Sequence, residues 1–194
     1  MKENKKYVRK SFWVHQYERE EQFLSDMRAK GWEFVKLHRG IPTKYEFDQC
    51  EPAAYSYQLD YVTPEEDTQD YHQLFRDAGW DEIMPWDGIN GKWYYFVKKI
   101  EDGMEEKIFT DQESKLQLVN KLIKTYGVFF FVFILLEINA FARTIQLLTE
   151  SSLWLLFDIP LTILLGAVVI WFIYLEFAMF AMKKKLQEKI NTQL

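Results

Sequence analysis

Two long apolar segments constrain this chain more than any other feature of its sequence. The first covers residues 126–148 and the second residues 153–176, and the second is uncharged from Ile159 to Leu175. A helix of about 20 mainly apolar residues is long enough to cross a lipid bilayer. Because only a short link separates the segments, we predict a transmembrane helical hairpin over residues 126–182.

Lysines at both ends of the predicted hairpin indicate its orientation. Lys121 and Lys124 precede the first segment, and Lys183–Lys185 open a basic tail over residues 183–194. Positively charged flanks stay on the cytoplasmic side of a membrane. We therefore expect a multi-pass protein of the cell membrane with both termini in the cytoplasm.

The first hundred residues have a different composition. They carry 15 Lys and Arg against 18 Asp and Glu, and the polar start "MKENKKYVRK" lacks the apolar core of a signal peptide. The single cysteine, Cys50, excludes an internal disulfide. Residues 1–100 therefore read as a mildly acidic cytoplasmic domain.

Residues 101–125 are predicted to form a linker and an amphipathic juxtamembrane helix. An apolar stripe of Leu116, Val119, Leu122 and Ile123 marks the helix. Two placements remain open. The helix lies on the inner membrane surface, or it extends the first span into the cytoplasm.

A shift of 48 positions aligns the two halves of the domain without a gap. It places Gly31-Trp32 on Gly79-Trp80 and Arg28 on Arg76. The same shift also aligns pairs of aromatic residues: Tyr7 with Tyr55, Trp13 with Tyr61, Tyr45 with Trp93 and Phe47 with Tyr95. The agreement of these matches at one shift favours an internal repeat.

Each repeat reads as a strand, a helix and two further strands. Aromatic and β-branched residues predict strands, which are Lys6–Val14, Trp32–His38, Lys44–Cys50, Ala54–Val62, Asp81–Trp86 and Lys92–Lys98. Helical periodicity predicts Glu18–Lys30 and Glu65–Ala78, and it places Leu74 on the buried face of the second helix. The prediction is an α+β fold, in which duplicated βαββ units form an antiparallel sheet with helices on one face.

Glycine and tryptophan stand side by side at the end of each predicted helix. A left-handed residue commonly terminates a helix, and only glycine adopts that conformation without strain. Gly31 and Gly79 are therefore predicted to be helix C-caps. The tryptophan after each glycine begins the next strand.

The repeats also resemble a known family. The stretches that carry the resemblance are "YEREEQFLSDMRAKGWEFVKL", "YSYQLDYV" and "LFRDAGWDEI…WYYFVK", and they lie within residues 7–100. They resemble DUF2812, a bacterial family of unknown function. The resemblance implies membrane segments after the domain, a gene beside a PadR-type transcriptional regulator, and no catalytic residue.

The duplicated plan is similar, at the level of fold, to effector-binding domains of multidrug-responsive regulators. Those domains hold amphipathic ligands in a groove between two copies. Aromatic positions that match across the repeat are Trp13, Tyr45, Tyr61 and Trp93, which are the candidate ligand- or partner-binding residues. The alternative is that these side chains fill a small core. An acidic domain without a basic stripe argues against nucleic acid as a partner.

The sequence offers no catalytic or metal-binding motif. It lacks a phosphate-binding glycine loop, an HExxH motif, a CxxC pair and a nucleophile elbow. His15, His38 and His72 do not have metal-ligand spacing. We therefore expect a protein that is not an enzyme and that uses no cofactor.

The candidate membrane-embedded polar residues of the predicted spans are Glu137, Asn139, Arg143 and Asp158. A charge near the centre of a bilayer costs about 2.5–3.5 kcal/mol even on insertion scales. Arg143 and Asp158 lie at equal depth in an antiparallel hairpin, so two outcomes are open: the residues pair, or either one extends to the outer headgroups. Glu137 falls at the level of Leu164, so its partner is a proton, a water molecule or another protein.

The preferred hypothesis is a membrane-anchored regulatory module. It recruits a protein partner, such as a PadR-type regulator or a transporter subunit, or it senses an amphipathic compound at the inner leaflet. The alternative is a structural accessory subunit that joins a membrane complex through its hairpin.

Overall fold

The fold is that of a computed structural model, which describes residues 4–100, 112–150 and 152–193. The chain divides into two compact units, Met1–Ser114 and Lys115–Leu194. The linker expected over residues 101–111 lies outside the described residues.

The first unit contains two three-stranded antiparallel sheets, which confirms the α+β class. Its elements, in chain order, are β1 (Lys5–Arg9), a 3-10 turn (Val14–Gln16), α1 (Tyr17–Ala29), β2 (Trp32–His38), β3 (Lys44–Gln49), β4 (Tyr55–Val62), α2 (Gln69–Asp77), β5 (Asp81–Gly88) and β6 (Gly91–Lys99). The strand orders are β1-β3-β2 and β4-β6-β5. In each half, the last strand in sequence is therefore central.

The strands form two sheets rather than the one sheet expected. The sheets approach each other at β2 and β5, where the Leu37 amide lies 3.3 Å from Met84 Sδ and Arg39 forms a 2.8 Å ion pair with Asp87. Both strands carry a bulge, and Pro85 in β5 cannot donate a backbone hydrogen bond. Side chains rather than a backbone ladder therefore join the sheets.

Two element boundaries differ from the sequence prediction by four residues or more. The strand predicted over Lys6–Val14 ends at Arg9, and a 3-10 turn follows. The helix predicted from Glu65 begins at Gln69, because Thr68 is its N-cap and accepts a hydrogen bond from the Tyr71 amide at 3.3 Å. The N-cap hydroxyl of Thr68, rather than the acidic residues that precede it, therefore determines where this helix begins.

The two helices lie on opposite faces of the second sheet. Side chains alternate along β6, so Tyr95 points towards α1 and hydrogen-bonds Glu20, whereas Phe96 stacks on Phe75 of α2 with centroids 3.9 Å apart. The core beneath α2 consists of Val62, Phe75, Trp80, Tyr94 and Phe96. Leu74, predicted on the buried face of α2, is 64% exposed.

The second unit is a pair of long helices, α3 (Gln112–Thr149) and α4 (Leu155–Gln193). They run antiparallel, since Phe133 stacks on Phe172 at 5.3 Å and the hydroxyls of Thr144 and Thr162 lie 2.9 Å apart. Helix α3 is unbroken from Gln112. The segment predicted as a juxtamembrane helix is therefore continuous with the first apolar segment.

Both helices are long and apolar enough to cross a membrane. Their most apolar windows have mean hydropathies of 1.9 and 2.3, and only 6% and 17% of these windows are buried. The core helix of a soluble protein would be mostly buried. The described hairpin instead exposes its apolar surface.

Candidate functional site

Two of the four aromatic candidates form a pair. Tyr61 on β4 lies opposite Trp93 on β6, and their ring centroids are 5.5 Å apart. Tyr61 is fully buried and Trp93 is 9% exposed. The Tyr61 hydroxyl donates a hydrogen bond to the carbonyl of Ile89 in the β5–β6 turn. This pair is part of the packed interior of the second sheet.

The other two candidates lie elsewhere. Tyr45 belongs to the first sheet, is 2% exposed and packs edge-on against Phe23 with centroids 5.4 Å apart. Trp13 precedes the 3-10 turn and is 44% exposed. Three of the candidates are therefore buried in sheet packing, and Trp13 alone of the four presents a substantial surface.

The ungapped repeat alignment does not hold in the last strand of each half. Leu37 on β2 pairs with Tyr45, whereas Pro85, which lies 48 positions after Leu37, pairs with Tyr94. The structural counterpart of Tyr45 is therefore Tyr94 and not Trp93. A shift of one residue moves a side chain to the other face of a sheet. Tyr45 and Trp93, which the sequence alignment matches, therefore lie in different surroundings.

A buried carboxyl group joins α1 to both sheets, and sequence reasoning missed it. Glu20 Oε1 accepts hydrogen bonds from the hydroxyls of Tyr45 at 2.6 Å and Tyr95 at 2.8 Å. Burial raises the pKa of Glu20, and the two hydrogen bonds offset part of that rise. The signal was available, because Glu20 lies three, four and seven residues before Phe23, Leu24 and Met27 on the apolar face of α1.

The adjacent residue, Glu21, caps the edge of the second sheet. Its carboxylate accepts a hydrogen bond from the Leu59 amide at 2.9 Å. An unpaired amide on an edge strand is a site for unwanted strand pairing. Consecutive acids of α1 therefore bind different strands, which fixes the helix against β4 and β6.

A second polar cluster holds the loop before α2. Asp67 accepts hydrogen bonds from Lys92 at 3.0 Å and Tyr94 at 2.8 Å, and it lies 3.0 Å from Nε2 of His72. These hydrogen bonds lower the pKa of Asp67 to about 2. The other imidazole nitrogen of His72 lies 2.7 Å from Glu82 on β5. The cluster connects α2 with the second sheet.

A third cluster surrounds Glu46 on the outer face of the first sheet. Its carboxylate contacts Lys5 at 2.8 Å and His38 at 2.6 Å, and these hydrogen bonds lower the pKa of Glu46 to about 2. Each cluster links neighbouring elements. Within the described residues, no group of three or more His, Cys, Asp and Glu side chains is arranged to hold a metal ion.

The hairpin contains the ion pair predicted from depth. Arg143 Nε lies 3.3 Å from Asp158 Oδ1, which confirms that the two residues are partners. The Asp158 side chain is 6% exposed and that of Arg143 is 63% exposed. The buried carboxylate is thus paired, while the guanidinium remains accessible at the surface of the hairpin.

Glu137 lies against a glycine of the other helix. A Cβ atom built on Gly166 would be 3.3 Å from Glu137 Oε1, so the carboxyl group lies two positions beyond the expected level of Leu164. Glu176, which sequence reasoning missed, is placed in the same way against Gly127 at 3.6 Å. Gly166 makes room for the Glu137 carboxyl group, whereas a Cβ atom on Gly127 would be in ordinary van der Waals contact with Glu176.

Comparison with known proteins gives one match. The family model "Protein of unknown function (DUF2812)" matches residues 16–131, more than half of the chain. The chain belongs to DUF2812. No curated protein and no solved structure matches it.

Some of the polar groups described above lie within the DUF2812 match, and others lie outside it. It begins just before α1 and ends inside α3. Glu20, Glu46 and Asp67 lie within the matched region. The Arg143–Asp158 pair and the whole of α4 lie beyond it.

Proposed function

We propose that this DUF2812 protein is an integral membrane protein without enzymatic activity, whose hairpin anchors the α+β domain at the inner membrane surface. The observation that carries this proposal is the exposure of the two apolar helices. Their hydropathy and low burial together suit a lipid environment and do not suit a soluble core.

The lengths of the helices support a cytoplasmic extension. Helices of 38 and 39 residues measure about 57 Å, whereas the apolar core of a bilayer is about 30 Å thick. Roughly 25 Å of each helix would therefore lie outside the bilayer core. Lys121 and Lys124 on α3 and Lys183–Lys185 on α4 would lie at the inner boundary, with both termini in the cytoplasm.

The domain's role in this proposal is to recruit a protein partner, such as a regulator or a transporter subunit. Burial of Tyr45, Tyr61 and Trp93 disfavours a small-molecule groove built from the four aromatic candidates. Trp13 is exposed, and tryptophan is frequent among residues that dominate protein interfaces. The second candidate function, a structural subunit assembled through the hairpin, is favoured by the polar groups within the helices.

We also infer that the domain arose by internal duplication. Both halves have the order β-α-β-β with the last strand central. The bulge between Phe34 and Lys36 on β2 recurs between Glu82 and Met84 on β5, at the spacing of the repeat. Gly31 and Gly79 also share a left-handed conformation.

Co-purification of the full chain from native membranes tests the recruiting role. Trp13→Ala is expected to reduce capture of a partner without changing the near-ultraviolet dichroism of the domain, because Trp13 is at the surface. The matched variant Trp93→Ala is expected to alter that spectrum. Undiminished capture by Trp13→Ala, together with capture by the hairpin on a foreign domain, would favour the structural-subunit function.

A further inference from the structure

One exposed face of α3 can be described by the heptad spacing of a coiled coil. Its positions alternate in steps of four and three: Val128, Val132, Leu135, Asn139, Ala142, Gln146 and Thr149. All seven side chains are exposed in the described hairpin. This is the pattern of coiled-coil a and d positions, with Val132, Asn139 and Gln146 at a and Val128, Leu135, Ala142 and Thr149 at d.

The opposite face of α3 packs against α4. Phe133 stacks on Phe172, Glu137 lies against Gly166, and Thr144 contacts Thr162. In the same heptad frame, Phe133 is at b and the other two are at f. The a and d face therefore points away from α4 and is not covered within the hairpin.

Asn139 is the polar residue at the centre of this face. It lies ten residues before the end of α3, which is about 15 Å along a helix and near the middle of a bilayer core. Its Nδ2 donates to the carbonyl of Leu135 at 2.8 Å. The amide has a second N–H and an acceptor oxygen, and exposing such groups to lipid is costly.

We propose that α3 of a second copy of this chain covers the face. Two copies inserted in the same orientation bring their α3 helices together in parallel, which places the two Asn139 amides opposite each other at equal depth. One amide then donates to the other. A self-complementary amide suits an identical partner, and a polar a position specifies register and strand number in parallel coiled coils.

The a and d positions near Asn139 favour an assembly of two helices. The a and d positions nearest to Asn139 on its N-terminal side are Val132 and Leu135, and valine at a with leucine at d favours dimers over larger assemblies. The flanking positions are occupied by the exposed Leu136, Ile138 and Ile145. Arg143 also flanks the face, and its charge is balanced by Asp158 of the same hairpin, so two copies can approach without unbalanced repulsion.

This inference rests on the membrane hairpin of the proposed function. It is tested by disulfide cross-linking of the full chain in phospholipid vesicles, with Cys50→Ser as the background. Single cysteines at Val132, Leu135 and Ala142 are expected to give a product of twice 23.4 kDa. Matched controls are cysteines at Phe141 and Leu148, which are 57% and 55% exposed but lie at c positions and are expected to give little product.

A substitution series isolates the role of the amide. Asn139→Leu is expected to weaken association in vesicles by roughly threefold or more, as for other hydrogen bonds between membrane helices. Asn139→Gln keeps the amide and is expected to recover part of the loss, and Phe141→Leu is the control. The readout is energy transfer between labelled copies as the lipid-to-protein ratio is varied.

The outcomes separate the dimer from the membrane hairpin on which it rests. Extraction of the chain from membranes by alkaline carbonate would overturn the hairpin itself. A chain that stays in the membrane but cross-links equally at a, c and d positions would overturn the dimer alone. So would a cross-linked product of another mass, or association unchanged by Asn139→Leu.

Discussion

Gly31 and Gly79 adopt the same backbone conformation in different surroundings. Their φ angles are +82° and +78°, as expected for left-handed residues that follow α1 and α2. A Cβ atom on Gly31 would lie 2.9 Å from the carbonyl oxygen of Cys50, whereas one on Gly79 would meet only the flexible end of Lys98 at 3.5 Å. The sequence predicts the conformation of both glycines, since helix termination is local, but not this difference in contacts.

We therefore expect unequal costs for the two alanine substitutions. Gly79→Ala carries only the strain of the left-handed conformation, about 1 kcal/mol. Gly31→Ala carries the same strain and a clash with backbone, so it is expected to be clearly more destabilising. Urea unfolding of the 1–114 fragment measures both. Equal midpoints for the two variants would contradict the close contact with Cys50.

At the scale of elements, α2 is held partly by charge. Asp67, in the loop before it, binds Lys92 and Tyr94 on β6 and contacts His72 on the helix itself. The hydrogen bonds that lower the pKa of Asp67 to about 2 favour its charged form in the folded protein. The unfolded chain therefore takes up a proton first as the pH falls.

This linkage predicts an acid-sensitive contribution to stability. It is fully present above the ordinary aspartate pKa of about 4 and is lost as the pH falls towards 2. Asp67→Asn is expected to lower the free energy of unfolding by about 1 kcal/mol at neutral pH, a modest value because the partly exposed pairs are screened. The difference from wild type should shrink between about pH 5 and pH 2.

Urea unfolding of the 1–114 fragment at several pH values measures this difference. Asp81→Asn is the control, since Asp81 is exposed at the start of β5. A wild-type advantage over Asp67→Asn that persists unchanged at pH 2 would rule out the electrostatic origin.

The elements differ in how far the sequence determines them. The C-terminal ends of α1 and α2 and the strand β2 follow from local residues and agree with prediction to within one residue. Cross-strand register does not follow from local residues, because it depends on contacts between residues that are distant in sequence. The sequence alignment therefore matched Tyr45 with Trp93, one position away from its structural counterpart. Depth along a helix hairpin is simple arithmetic, so the Arg143–Asp158 pair could be predicted. The level of Glu137 was predicted less well, because contacts further along the hairpin depart from that arithmetic, and Glu137 lies against Gly166 rather than level with Leu164.

The Arg143–Asp158 pair can be tested by exchange of charge. Arg143→Asp or Asp158→Arg alone leaves like charges together in a partly desolvated position, and is expected to lower accumulation in the membrane fraction. The double exchange restores an opposite pair and is expected to recover much of the loss. A double variant no better than the worse single variant would show that the observed contact does not stabilise the hairpin.

At the scale of the whole molecule, two units of different character share one chain. The first, Met1–Ser114, buries its aromatic residues between sheets and helices, and the second exposes apolar residues along two long helices. Composition separates these units clearly, because charge is nearly absent from residues 126–182. The partner proposed for the domain is not encoded in any local pattern, because Trp13 differs from the other three aromatic candidates only in its exposure.

The central claim is that the hairpin crosses the membrane with both ends in the cytoplasm. Labelling of single cysteines by an impermeant maleimide tests it most directly, in full chains that carry Cys50→Ser with Ser152→Cys or Lys184→Cys. In intact cells, Ser152→Cys is expected to react, whereas Lys184→Cys should react only after lysis. Protection of Ser152→Cys together with reaction of Lys184→Cys in intact cells would contradict the account.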